Sequence, residues 1–129
     1  MAHEYSPAVS ITLEAGADLS AKQYLFVKIA SGKAVACNGA TDVPIGVLQN
    51  DPILGQGASI VVVGATKLVA GAAILAGVKI GTGADGKADA KVAGTDTTEY
   101  TVGQVILASG ADGDICTAVI NCASPNRAA

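Results

Sequence analysis

A strand, a glycine turn and a return strand occur twice in this chain, in the same order and with similar neighbours. The first instance is Val27-Lys28-Ile29-Ala30-Ser31-Gly32-Lys33-Ala34. The second is Val78-Lys79-Ile80-Gly81-Thr82-Gly83-Ala84-Asp85-Gly86-Lys87-Ala88. A polar stretch follows each, Asn38 to Asp42 and Ala93 to Thr97. A strand with a glycine near its start comes next, Pro44-Ile45-Gly46-Val47-Leu48 and Thr101-Val102-Gly103-Gln104-Val105. Each unit closes on a further strand, Ala58 to Val63 and Asp114 to Ile120. Two units of this length are too few for a solenoid. They suit a pseudo-symmetric barrel or sandwich in which each half covers the other's open sheet edges.

Short Val/Ile/Leu runs bounded by Gly, Asp, Asn and Pro read as strands. They predict strands near 8–13, 24–30, 33–37, 44–49, 58–63, 66–69, 77–81, 87–92, 101–108 and 115–121. Turns are expected at Ser31-Gly32, Asn38-Gly39, Asn50 to Pro52, Gly83 to Gly86 and Gly110 to Gly113. The alanines between Val69 and Leu75 allow one helical turn. The expected fold is therefore all-β, a small barrel at residues 19–122. Residues 1–18 read as an extended N-terminal arm, because Val9, Ile11 and Leu13 alternate with Ser10 and Thr12; an ordinary first strand of the barrel or simple disorder are the alternatives. Such an arm can add a strand to a partner's sheet edge. Residues 123–129 read as a loose tail.

The 129 residues fit one domain, long enough to bury a core without metal or disulfide. Half are hydrophobic but only 3% aromatic, and sixteen are glycine. Small side chains of this kind suit close packing of backbones and of subunits. With 15% charged residues, part of the surface is expected to be hidden in an assembly. The net charge is −3, the lysines are scattered and Arg127 is the only arginine. With no basic stripe and no stacking aromatics, nucleic acid is not an expected partner. The stretch Ala58 to Ile80 is interrupted by Lys67, Lys79 and several glycines, and the polar start has no leader pattern, so no membrane partner is expected either.

No chemistry stands out. Gly81 to Gly86 satisfies G-x-G-x-x-G, but Lys87 to Val92 alternates as a strand where a phosphate-binding helix should begin. Gly81 to Ala88 approaches a P-loop, with Ala88 replacing the Mg²⁺-ligating hydroxyl and Asp85 opposing phosphate. The first unit has the same hairpin in shorter form. Asp85, Asp89, Asp112 and Asp114 lack calcium-loop spacing and read as solvated turn carboxylates. His3 is the only histidine, and Cys37, Cys116 and Cys122 form no CxxC; they read as buried thiols, a Cys116–Cys122 bridge being the alternative. Lys28 and Lys79, each between Val and Ile, read as equivalent outward strand positions and not as cofactor-carrying lysines. No enzyme activity, cofactor or metal is expected.

Leu19-Ser20-Ala21-Lys22, then Gly32 to Asp42, then Pro44 to Leu48 resembles the lambda-type head decoration (capsid cement) proteins of tailed phages. Ala76 to Gly103 resembles another group of small phage capsid-associated β-proteins. The resemblance implies a β-tulip or small-barrel fold, a homotrimer, and a place on the outer surface of the capsid in the virion after synthesis in the host cytoplasm. It implies the major capsid protein as partner and shell stabilisation without catalysis. Transferred to this chain, it makes Tyr5, Pro7, Val9, Ile11 and Leu13 the candidate capsid-docking residues of the arm. A phage fibre, spike-base or host-adhesion module is the alternative from the binding class, and a hydrolase with an unrecognised carboxylate pair the one from the enzyme class.

Overall fold

The computed structural model describes residues 8–129. It is all-β, with no helix among the described residues. The strands are β1 (Val9–Glu14), β2 (Phe26–Ala30), β3 (Lys33–Ala36), β4 (Gly46–Leu48), β5 (Gly57–Val69), β6 (Lys79–Thr82), β7 (Ala88–Ala90), β8 (Tyr100–Thr101), β9 (Gly103–Leu107), β10 (Ile115–Asn121) and β11 (Asn126–Arg127). The main sheet runs β3-β2-β4-β5-β10-β9-β6-β7, with β1 also on β5. All its strand pairs are antiparallel.

That order is a palindrome if β2 matches β6, β3 matches β7, β4 matches β9 and β5 matches β10. The duplication is therefore written in the topology as well as in the sequence. β5 belongs to both halves. Its first part pairs with β1, Leu13 opposite Ala58, and its second part pairs with β10, Leu68 opposite Cys116. Its second part is thus the counterpart of β1. Past each of these strands the chain makes the same bridge. Ala15 joins Ala34 and Ala70 joins Ala88, with the N–H of Gly16 and Gly71 donating to those alanine carbonyls at 2.8 and 2.9 Å. Each half is a curled five-stranded strip whose first and last strands meet.

The cores repeat too. One buried cluster holds Ala15, Leu19, Val27, Ala34, Leu48, Ala58 and Ile60. Their counterparts, Ala70, Ile74, Ile80, Ala88, Val105, Cys116 and Ala118, all lie in the other cluster. That second cluster also takes Phe26, Val47 and Val61 from the opposite face of the first half. Because successive strand residues point to opposite faces, the first half is buried on both. The halves are joined by backbone as well, Phe26 N–H to Gly86 O at 2.8 Å, Val69 N–H to Tyr24 O at 2.9 Å and Cys122 N–H to Val62 O at 2.9 Å.

The glycine that opens β4 and β9 has one cause. A Cβ at Gly46 would overlap the Val61 carbonyl oxygen, and one at Gly103 would lie 2.5 Å from the Val119 oxygen. In the first hairpin Ser31 (φ 52°) and Gly32 (φ 74°) are both left-handed, the two-residue turn that suits strand twist. The second hairpin is one residue longer and places Gly86 at φ 81°.

Several expectations are corrected. The boundary at residue 18 does not hold, since Val9–Glu14 is an integral strand and Ala15 is fully buried. Nor is the tail loose: β11 pairs with β8 and Ala128 is buried. The predicted strands 58–63 and 66–69 are one strand, continuous through Gly64 at φ 131°. Residues 101–108 divide between β8 and β9 at Val102. Val69 to Leu75 bridges to β7 and to Ser109 and is not helical. The Val-Lys-Ile match is two residues out of register: Val27 opposes Gly46 as Ile80 opposes Gly103, so the counterpart of Lys28 is Gly81.

If Gly46 and Gly103 serve the same close approach, Gly46→Ala and Gly103→Ala each lower stability by roughly 3 kcal/mol through forced overlap with the neighbouring strand. Phe26→Ala costs about 3–5 kcal/mol by opening a cavity between the halves. Urea melts followed by circular dichroism check all three.

Candidate functional site

Of the predicted docking residues, Tyr5 and Pro7 lie outside the described residues. Val9, Ile11 and Leu13 stand on β1, which is zipped to Gly57–Val63 of β5. Alternation alone would put all three on one face, but the register shifts between Val9 and Ser10, and Val9 departs from the other two. Val9 is exposed, whereas Ile11 and Leu13 are half-buried against the core clusters. Ala8 packs against the same core and fits against Gly64, where a Cβ would come within 2.8 Å of the Ala8 Cβ. The described chain therefore begins beside Gly64 of β5.

The glycine motif is a hairpin tip. Gly81 and Thr82 end β6, and Gly83 to Lys87 joins it to β7, with Gly83 N–H donating to Lys87 O at 2.8 Å. Its glycines serve packing: a Cβ at Gly81 would overlap the Tyr100 carbonyl, and one at Gly86 would lie 3.2 Å from the Phe26 oxygen. Lys87, the residue a P-loop would aim at phosphate, is held by Asp112 at 2.9 Å and Asp85 at 3.8 Å. The hollow of about 320 Å³ beside this turn is lined by Asp85 and Asp89 as well as Lys87. Its carboxylates oppose an anion.

Lys91 is the charged group that sequence reasoning missed. Its side chain is fully buried, and its Nζ donates to Thr82 O at 2.9 Å, to Asp89 at 3.0 Å and to Glu99. Burial pushes this ammonium down, but the hydrogen bonds and charges of Glu99 and Asp89 outweigh it and hold the pKa above its ordinary 10.5. The first half pins its corresponding loop differently. Lys28 reaches Asp42 at 3.0 Å, and Asp42 also accepts from the N–H groups of Asn38 and Gly39. Burial raises the Asp42 carboxyl, yet these donors and Lys28 together hold it below its ordinary value. Asp89 and Glu99 are thus two carboxylates on one ammonium, an arrangement that fastens a loop. Spacing gave no signal of it, because Lys91 and Glu99 meet only through the fold.

The three cysteines are free and buried. Burial pushes Cys37 and Cys122 up to about 12, far from a reactive thiolate at neutral pH. Among the described residues, no three His, Cys, Asp or Glu side chains form a metal-holding group. A shallow groove of about 310 Å³ runs along β9 and β10 between Lys79, Gln104, Asn121 and Asn126. It presents amides and one ammonium over Val119.

A scan against protein-family models finds no match, and a search of curated proteins finds none. Among solved structures, the head fiber gp8.5 N base of bacteriophage phi29 is similar. It shares 22% identity and a TM-score of 0.63, covering 90% of this chain and 96% of that one. At that identity the likeness establishes a common fold.

Lys91→Met leaves two carboxylates without their cation and is expected to cost about 2–3 kcal/mol, less than a wholly buried pair because Asp89 and Glu99 keep some water. The folded-state pKa is raised, so the lysine's contribution is complete below 10.5 and fades as pH rises through the folded value. Denaturation of both proteins from pH 7 to 11 checks this: the gap between them holds to about pH 10 and then narrows.

Proposed function

We propose that this chain is a non-catalytic structural protein of a phage virion, a decoration or cement protein that binds the outer surface of the capsid and stabilises the shell. The observation that carries the reading is the end-to-end likeness to the base of a phage head fiber, 90% of this chain against 96% of that one. The decoration-protein resemblance of residues 19–48 supports it independently. So does the build of the molecule, in which Lys28, Lys87 and Lys91 are paired with carboxylates and the three cysteines are buried. The partners are the major capsid protein and further copies of this chain, as a homotrimer. Nucleic acid and membrane have no part in it.

Docking in this proposal belongs to the segment before β1. Tyr5, Pro7 and exposed Val9 meet the capsid, while Ile11 and Leu13 serve the core that β1 completes. Three arms on one trimer reinforce one another, because the second and third contacts are intramolecular. Deleting residues 1–7 leaves every pair of β1 with β5 in place. The truncated protein is expected to keep its melting temperature and to bind expanded capsids at least tenfold more weakly in co-sedimentation, a difference of about 1.4 kcal/mol or more. Undiminished binding would remove the arm from the proposal.

The same likeness favours a second reading, the base of a head fiber. Cement saturates every equivalent site on a shell, whereas a fibre need occupy only some. Quantitative gel analysis of purified particles against the major capsid protein separates them, and saturation is expected.

A further inference from the structure

The duplication supplies an internal control for backbone strain. Lys22 to Leu25 and Leu75 to Val78 are counterpart turns, each leading into the first strand of its hairpin. Leu25 N–H donates to Lys22 O at 3.1 Å, and Val78 N–H donates to Leu75 O at 3.3 Å. The N–H groups of Tyr24 and Gly77 both donate at 2.7 Å, to Leu48 O and to its counterpart Val105 O. Both residues take a positive φ, 64° at Tyr24 and 90° at Gly77. A four-residue turn with positive φ at its third residue favours glycine there, and the second half has it. The first half has a tyrosine, a bulky side chain for which this conformation is a strain. Its backbone bonds need no side chain, since the Tyr24 carbonyl accepts from Val69 N–H at 2.9 Å as a glycine's would. The half-buried ring belongs to neither buried cluster. It lies under a cation, with Lys67 Nζ 5.9 Å from its centroid.

Strain kept at one position, where the same fold accepts glycine at its twin, marks a side chain with a task outside folding. We propose that Tyr24 and Lys67 form a contact for an acidic segment of the capsid protein. Charge selects that occupant. Lys28, Lys33, Lys87 and Lys91 each hold a carboxylate, whereas among the described residues Lys67 and Lys79 hold none. Lys67 stands opposite Thr117, and Lys79 stands opposite Gln104, itself opposite Val119. Thr117 and Val119 are two apart on β10, so both lysines share one face of the sheet. Ala65, Gln104, Ile115, Thr117, Val119 and Asn121 complete that face, and none carries a charge. The face is therefore +2, while the rest of the chain is −3 − 2 = −5. An acidic segment is drawn to this face and repelled by the remainder. Lys67 also follows Gly64 along β5, and Gly64 is where Ala8 and the start of the described chain fit. The proposal rests on the virion reading and adds the chemistry of the capsid contact.

Two variants test it. Tyr24→Gly gives the first half the residue its twin already has, and Lys67→Gln removes the charge alone. Both are expected to keep the β circular dichroism spectrum, and Tyr24→Gly to keep its melting temperature. In co-sedimentation with expanded capsids each is expected to bind roughly fivefold or more weakly than the unaltered chain. Lys67→Gln binding is expected to fall less steeply with salt, and Lys67→Arg to restore binding. Full-strength binding by both variants overturns the proposal and leaves the virion reading standing. An unaltered chain that does not bind capsids removes both. If Tyr24→Gly unfolds or melts lower, Lys67→Gln decides: full-strength binding then assigns Tyr24 to the fold and overturns the proposal. Binding of duplex DNA that is lost in the same variants assigns the pair to nucleic acid and overturns it as well.

Discussion

The structure hangs on β5. Thirteen residues run unbroken from Gly57 to Val69, and no other strand is as long. Its first part is flanked by β1 and β4 and its second part pairs with β10, so one strand serves two curled strips. Gly64, at φ 131°, bends it between the two duties, and Ala8 fills the space where a side chain would stand. Neither half is complete without this strand. The closing bridges at Ala15–Ala34 and Ala70–Ala88 both depend on where it and its counterpart β1 end.

Sharing a strand makes the molecule asymmetric despite its internal repeat. The first half has Phe26, Val47 and Val61 on the face turned toward its sibling, and all three are buried. The corresponding places in the second half hold Lys79, Gln104 and Val119, which are exposed. One half is thus an interior element and the other presents an open face, where Leu75, Ile106, Leu107 and Ile115 also gather. β1 ties the start of the described chain to β5. The charged groups described above fasten loops and the cysteines are buried, in keeping with the mechanical role proposed.

Much of this was legible in the residues because the hairpin signals are local. Gly32-Lys33-Ala34 and Gly86-Lys87-Ala88 mark true counterparts, and Gly46 and Gly103 open counterpart strands for a shared steric reason. The register error at Val-Lys-Ile has an equally local source. A slip of two residues keeps every side chain on its own face, so periodicity cannot detect it. The larger omission was the place of residues 9–18 in the repeat. Leu13-Glu14-Ala15-Gly16-Ala17 matches Leu68-Val69-Ala70-Gly71-Ala72, but the second segment was hidden at the end of a strand that Gly64 made look like two. The pairing of Asn126–Arg127 with Tyr100–Thr101 and the burial of Lys91 between Asp89 and Glu99 depend on distant chain segments meeting. Nothing at those positions announces it.

The most direct measurement is a cryo-electron microscopy reconstruction of the particle that carries this chain. The account predicts density for the two-strip fold on the outer surface of the shell, with the segment before β1 reaching the major capsid protein. Density inside the shell, or confined to the tail, would contradict it.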